Sequence, residues 1–312
     1  MVAILGLDFT SAPSKQKPIT LAWCELNTTT HILALSHFES IDSLNSWSDW
    51  LDRESRDSHS SWVGAFDFPL GQPVVWLREL GWVHLDKNGH YPSNTWEQAM
   101  QRFSEMSKQE FEQLIKNDIA ERPLGDKFRF RLTDRMTRSS SPMKLHYPPV
   151  GKMFFQGACQ LYKRPFSIWP CRVNHHPKTV FEGYPALLAR RWTKGPYKTD
   201  TPKSATQNHQ QSRDNIIEGL LGDEFTAEFE FKFILKHDQS ELLLADSRGD
   251  YLDALLCAVE ASWAYLQGAP DYGLSKALST HEQDQVSQEG WIIFPDNPDS
   301  VEKALEKRKD RK

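Results

Sequence analysis

Cysteine is scarce and widely spaced. Cys24, Cys159, Cys171 and Cys257 are the four in 312 residues, and no two form a CxxC pair. Such spacing suits neither a disulfide framework nor a zinc ribbon. Long apolar runs are also missing: nothing approaches the roughly 20 residues that span a bilayer. The N-terminus lacks a basic region, and Asp8 interrupts the first apolar run, so no secretory leader is expected. A cytoplasmic protein without membrane contact follows as the expectation. There is no GxSxG, no GxGxxG and no GxxxxGK followed by Ser or Thr. Serine hydrolase, dinucleotide-binding and P-loop readings therefore lose their usual support. His175-His176 reads as a surface loop, since no HExxH accompanies it. No internal repeat is visible.

What is present is an ordinary globular composition, 39% hydrophobic and 25% charged, with eleven tryptophans. The formal net charge of -5 argues against a protein held on nucleic acid by its whole surface, but leaves room for a local basic groove.

The chain is organised around Val2-Ala3-Ile4-Leu5-Gly6-Leu7-Asp8. An unbroken apolar run reads as a strand buried on both faces of a mostly parallel sheet. Asp8 then stands at the carboxyl end of a central strand, where α/β sheets deliver ligand-binding groups. Trp62-Val63-Gly64-Ala65-Phe66-Asp67 repeats the pattern, so two carboxylates are expected side by side at one sheet edge.

Residues 19–26 and 31–38 read as two strands joined by a hairpin turn at Asn27-Thr28-Thr29-Thr30, making an antiparallel meander with the first. A helix over 41–53 then crosses over to the strand ending at Asp67. Helices are expected from Pro73 to Leu80, over 94–121 with a break near Met106, and over 152–162. Residues 122–150 read as a basic, mobile loop. A strand ends at Glu182, with a helix after it through Trp192, a loop to Pro202 and a helix over 203–221. Periodicity decides nothing for 228–246. Leu252, Leu255, Leu256, Val259, Trp263 and Leu266 make one apolar stripe of a helix over 250–267. Residues 289–295 read as a late strand, and a charged tail begins at Asp299. The expected organisation is one domain, 1–298, with a helical insertion around 85–165 and a tail over 299–312.

Asp8, Asp67 and Glu182 each close an apolar strand, and Asp250 and Asp253 share a face at the start of a helix. A single Asp in such a place is most often a turn former or a helix cap. Several acids at the ends of buried elements favour a site instead. Gathered carboxylates repel one another and lose hydration, so each is pushed toward protonation unless a cation neutralises them. Hard oxygen ligands suit Mg²⁺ or Mn²⁺, and two such ions about 3.5–4 Å apart stabilise both oxygens of a phosphoryl displacement. On this expectation Asp8 bridges two ions, Asp67 and Glu182 hold one each, and Asp253 with Asp250 completes the second site.

Five segments, in order, resemble the motifs of the family called domain of unknown function 429. They are Gly6-Leu7-Asp8-Phe9-Thr10-Ser11, Ala65-Phe66-Asp67-Phe68-Pro69-Leu70-Gly71, Glu182-Gly183-Tyr184-Pro185, Asp253-Ala254-Leu255-Leu256-Cys257-Ala258 and Glu289-Gly290-Trp291-Ile292-Ile293-Phe294-Pro295. The resemblance implies a ribonuclease H-like α/β fold related to Holliday-junction resolvases, with a five-stranded sheet in order 3-2-1-4-5 and strand two antiparallel. It also implies a metal-dependent nuclease acting at the acidic site. The Asp250–Asp253 spacing resembles the last acidic pair of the resolvases. Arg131-Leu132-Thr133-Asp134-Arg135 resembles a family segment expected to face the site. Thr10, Arg131, Asp134, Arg135, Arg190 and Arg191 are the expected substrate contacts, with nucleic acid as the partner. Two basic runs, around Lys127–Lys144 and Arg190–Lys203, are candidate phosphate tracks.

Two other functions compete: an actin-like or sugar-kinase-like ATP-binding phosphotransferase, and a non-catalytic binding module on the same fold. The first lacks a second copy of the fold and a Gly-rich adenosine loop. The second gives no reason to keep buried charge. The oligomeric state is open, a dimer being one possibility.

Overall fold

Strand β1 (Val2–Asp8) pairs antiparallel with β2 (Ile19–Asn27), which pairs antiparallel with β3 (Ile32–Ile41). Helix α1 (Leu44–Arg56) carries the chain back to β4 (Trp62–Phe66), parallel to β1. Five helices follow: α2 (Val74–Glu79), α3 (Thr95–Glu105), α4 (Lys108–Glu121), α5 (Leu132–Thr137) and α6 (Val150–Tyr162). Then come β5 (Ser167–Ile168), β6 (Lys178–Glu182), α7 (Pro185–Ala189), α8 (Gln207–Leu221), α9 (Asp223–Phe229), β7 (Lys232–Ile234), α10 (His237–Ala245), α11 (Asp250–Gln267) and α12 (Thr280–Glu289). The computed structural model describes residues 1–294.

The protein is α/β, with one mixed sheet of seven strands in the order β5-β6-β4-β1-β2-β3-β7 and helices on both faces. The expectation of five strands is corrected in count and order. Very short strands are added at each edge, so the strand ending at Glu182 is interior. Successive side chains of a strand point to opposite faces, and this divides the core in two. Ile4, Val63, Ala65 and Phe181 pack toward α11. Leu5, Leu7, Trp62, Phe66 and Val180 pack toward α1, α3 and α6, where Trp47, Trp50, Trp96, Phe103 and Phe154 fill the layer. Continuous apolar strands are what a doubly covered sheet requires.

Helix α11 lies directly on β1. A Cβ added at Gly6 would stand 1.9 Å from the Ala254 carbonyl oxygen and 2.3 Å from the Ala258 nitrogen, so only glycine admits this approach.

Other expectations are corrected. The loop over 122–150 contains α5, whose Leu132, Thr133, Asp134 and Thr137 are buried. The helix after Glu182 stops at Ala189, well before Trp192, and α8 begins at Gln207, after a 3₁₀ turn over Pro202–Ser204. Residues 228–246 resolve into the end of α9, then β7 and α10. The late strand is absent: Glu289 ends α12, and only Ile292 makes a single parallel bridge with Glu182. Pro295 and the tail from Asp299 lie outside the described residues. Among the described residues no helix is long and apolar enough to cross a membrane.

Candidate functional site

Leu7, Phe66 and Glu182 stand side by side in the sheet. One step on, Asp67 N–H donates to Leu7 O at 2.9 Å, and Gly183 N–H donates to Phe66 O at 2.9 Å. Asp8 and Asp67 therefore follow in the next row, and alternation turns them to the face covered by α11. Glu182 belongs to the row before and points to the other face. A one-residue offset thus separates it from the acids it was expected to join.

Asp253, on α11, completes the cluster on the first face. It is fully buried, and both its oxygens are engaged. Tyr197 Oη donates to Oδ1 at 2.6 Å, and Lys198 Nζ is ion-paired with Oδ2. Asp250 is half-buried in the first turn of the same helix, where the helix dipole favours negative charge. The loop carrying Lys198 is pinned beside it. Thr199 N–H donates to Ser247 O at 3.0 Å, and Gly249, at φ +74°, leaves room that a Cβ would take from Lys198.

The electrostatics record crowded negative charge. Burial, reinforced by Asp253, Asp250 and Asp67, holds Asp8 well above the usual carboxylate range, with Lys198 opposing. Burial likewise raises Asp67 to about 7, with Asp253 and Glu182 adding and Lys198 opposing. Burial first, then Asp246 and Asp253, lifts Asp250 to about 6, against Lys17 and Lys198. Burial works against the Lys198 charge, yet Asp253, Tyr197 and Asp8 outweigh it and hold the ammonium well above its ordinary value.

A fifth acid was missed by sequence reasoning. Glu260 is fully buried on α11; Oε2 accepts from Tyr184 N–H at 2.9 Å, and Oε1 has no partner among the described residues. Burial holds it well above the usual range, with Asp67 and Asp253 adding. The signal was present: Asp253, Cys257 and Glu260 recur at helical spacing on one face. Lys198 belonged to the basic run read as a candidate phosphate track, but nothing in the sequence pointed to its pairing with Asp253 or to Tyr197 beside it.

Glu182 takes part in a different structure. Arg131, itself buried, donates from Nη1 to Glu182 Oε2 at 2.7 Å and from Nη2 to Oε1 at 2.5 Å. Arg131 Nη2 also donates to Asp134 Oδ1 at 2.8 Å, and Nη1 to Glu289 O at 3.1 Å. Leu70 N–H donates to Glu182 Oε2 at 2.9 Å. Burial opposes the guanidinium charge, but Asp134 and Glu182 outweigh it and hold Arg131 well above its ordinary range. Burial raises the Glu182 carboxyl, with Arg131 and the Leu70 N–H opposing, and both its oxygens accept in the paired geometry. Arg131 and Asp134, expected to contact substrate, are thus internal clasp residues with no exposed surface to offer.

Of the other expected contacts, Thr10 is half-buried, and its Oγ1 accepts from Ala12 N–H at 3.5 Å. Arg135 is exposed over the Phe130 ring. Arg190 is exposed, donates to Tyr184 Oη at 2.8 Å and lies over that ring. Arg191 is paired with Glu228 and lies over Phe229. The basic run around 127–144 is largely spent internally. Arg129 pairs with Glu79 and Asp126, and Lys127 donates to the Ile119 and Arg122 carbonyls. A cleft of about 520 Å³ beside Val75 and Leu85, and one of about 500 Å³ beside Thr206 and Leu244, are lined by none of the clustered acids.

Asp8, Asp67 and Asp250 fit a divalent cation in kind: all are hard oxygen donors, and burial raises the proton affinity of each, whereas both Asp253 oxygens are engaged by Tyr197 and Lys198. Glu182 does not fit, because Arg131 and Leu70 take its oxygens. As they stand, among the described residues, no three His, Cys, Asp or Glu side chains are grouped to hold a metal ion. No family model, curated protein or solved structure matches the chain.

Proposed function

We propose that this protein hydrolyses phosphodiester bonds of DNA or RNA with Mg²⁺ or Mn²⁺, on a ribonuclease H-like arrangement. The observation that carries the reading is the meeting of Asp8, Asp67, Asp250 and Asp253 on one face, from the ends of two parallel strands and the start of one helix. The run β3-β2-β1-β4-β6 inside the sheet, with β2 antiparallel, supports the fold reading. So does the close seat of α11 on Gly6, which brings Asp253 to the end of β1.

In this reading the four aspartates supply the oxygen donors, and Glu182 is not among them. A bound divalent ion would supply Lewis-acid stabilisation of charge building on the phosphoryl oxygens. Arg190, stacked on Tyr184 at the rim, receives a substrate phosphate, and Lys194 and Lys203 are exposed on the following loop.

The test is direct. Purified protein with Mn²⁺ should cut at least one of single-stranded, duplex and branched DNA or RNA. Asp8→Asn should lower the rate by about 10²–10³-fold, the scale on which one electrostatic group contributes. Failure of the wild-type protein on every one of these substrates would sink the proposal.

A further inference from the structure

We propose that Glu260 is a positioning residue: from the middle of α11 it fixes the main chain at Tyr184, and through Tyr184 it sets where Arg190 meets a nucleic-acid phosphate. This rests on the nucleic-acid reading above and adds the group that aims the phosphate contact.

The chain leaving β6 runs hard against α11: a Cβ at Gly183 would stand 3.0 Å from Cys257 Sγ and 3.0 Å from Glu260 Oε2. Two hydrogen bonds fix it there, from Gly183 N–H to Phe66 O at 2.9 Å and from Tyr184 N–H to Glu260 Oε2 at 2.9 Å. Tyr184 in turn holds Arg190 across the short helix α7. Its Oη accepts from Arg190 Nη2 at 2.8 Å, and the guanidinium carbon lies 5.3 Å from the centre of its ring. A planar cation is thereby kept at a set place over an aromatic face. Arg190 is exposed, and no carboxylate pairs with it among the described residues, whereas its neighbour Arg191 is paired with Glu228. The remaining Arg190 N–H groups are open to an anion. Finally, stability does not account for Glu260. Its Oε1 is buried with no partner among the described residues, so burying this carboxyl costs more than the single bond at Oε2 returns. Burial favours its neutral form, of which a glutamine amide is a near isostere.

A structural role and a positioning role differ in salt dependence. A variant that only folds less well lowers the binding-competent fraction and leaves the slope of log affinity against log salt alone. A variant that misplaces a phosphate contact lowers that slope by about one. Fluorescence anisotropy of a labelled oligothymidylate with the full chain, without added metal, reads both. Arg190→Ala should bind about tenfold more weakly than wild type, the scale of one hydrogen bond to a charged group, and with the lower slope. Glu260→Leu should show the same lower slope, and adding it to Arg190→Ala should weaken binding no further. Glu260→Gln, which keeps an acceptor for Tyr184 N–H, should bind as wild type does. A wild-type slope in Glu260→Leu, a lowered one in Glu260→Gln, or losses that multiply in the double variant overturns the proposal. So does wild-type binding by Arg190→Ala, which leaves the hydrolysis reading to its own cleavage test. If wild type binds neither this strand nor its duplex with oligoadenylate, the proposal falls and the nucleic-acid reading falls with it. Should Glu260→Leu fail to fold, Tyr184→Phe removes only the oxygen that receives Arg190; its slope should also fall, and an unchanged slope overturns the proposal.

Discussion

Arg131 shows how one side chain decides what its neighbours do. Two carboxylates, Glu182 and Asp134, converge on a single guanidinium with no access to water. Breaking a buried pair by removing one partner costs far more than the pair contributes, because a bare charge is left behind. Arg131→Met should therefore lower unfolding free energy by about 3–5 kcal/mol, read as a fall in the urea midpoint; an unchanged midpoint would refute the clasp. The same residue shows what the sequence hides. Arg131 and Asp134 were expected to face the site because their segment resembles one of a known family, and a resemblance of that kind does not reveal long-range partners. Only their long-range partner, Glu182, makes their burial tolerable. Asp8, Asp67 and Asp253 were legible because each ends or opens a strongly apolar element. Glu182 satisfied the same rule, yet a one-residue difference in register sends it to the opposite face.

Among the elements, legibility follows length and apolar continuity. β1 and β4 declare themselves as unbroken apolar runs, and α11 by its stripe. β5 and β7, of two and three residues, have no pattern to detect. Trp291-Ile292-Ile293 is as buried as a strand, but its backbone meets β6 at one bridge only. α5 is held by its ion pairs and by Glu289, whose carboxylate accepts from Leu132 N–H at 2.8 Å. The α11–β1 contact carries the element-scale prediction. Gly6→Ala places a methyl group against helix backbone rather than against a flexible side chain, so α11 must lift from the sheet. The expected cost is at least about 3 kcal/mol, the upper end of ordinary overpacking, with Asp253 displaced from Asp8. A thermal midpoint equal to wild type would show that the seat is looser than described.

For the whole molecule, buried carboxyls make stability depend on pH. Glu289 accepts N–H bonds from Val74 and Leu132, yet burial still raises it to about 7. A carboxyl bound more tightly to its proton in the folded state stabilises fully below its unfolded pKa, about 4.3. That stabilisation is lost as pH rises through the folded value. Relative to wild type, Glu289→Gln should therefore gain stability between pH 4 and 8, by roughly 1.4 kcal/mol for each unit by which the pKa is raised. Urea titrations of both proteins across that range check it; a gap that stays constant with pH contradicts it.

By itself the sequence determined the α/β class, the central strands and the helix that seats on them. These follow from apolar periodicity, which is local and survives without knowledge of neighbours. It also determined which aspartates end those elements. Only the tertiary structure decided the company each acid keeps: Lys198 and Tyr197 around Asp253, Arg131 around Glu182, and the Tyr184 N–H on Glu260. The physical reason is that the state of a buried charge is fixed by partners distant in the chain, and no local pattern encodes which loop lysine or arginine will arrive there.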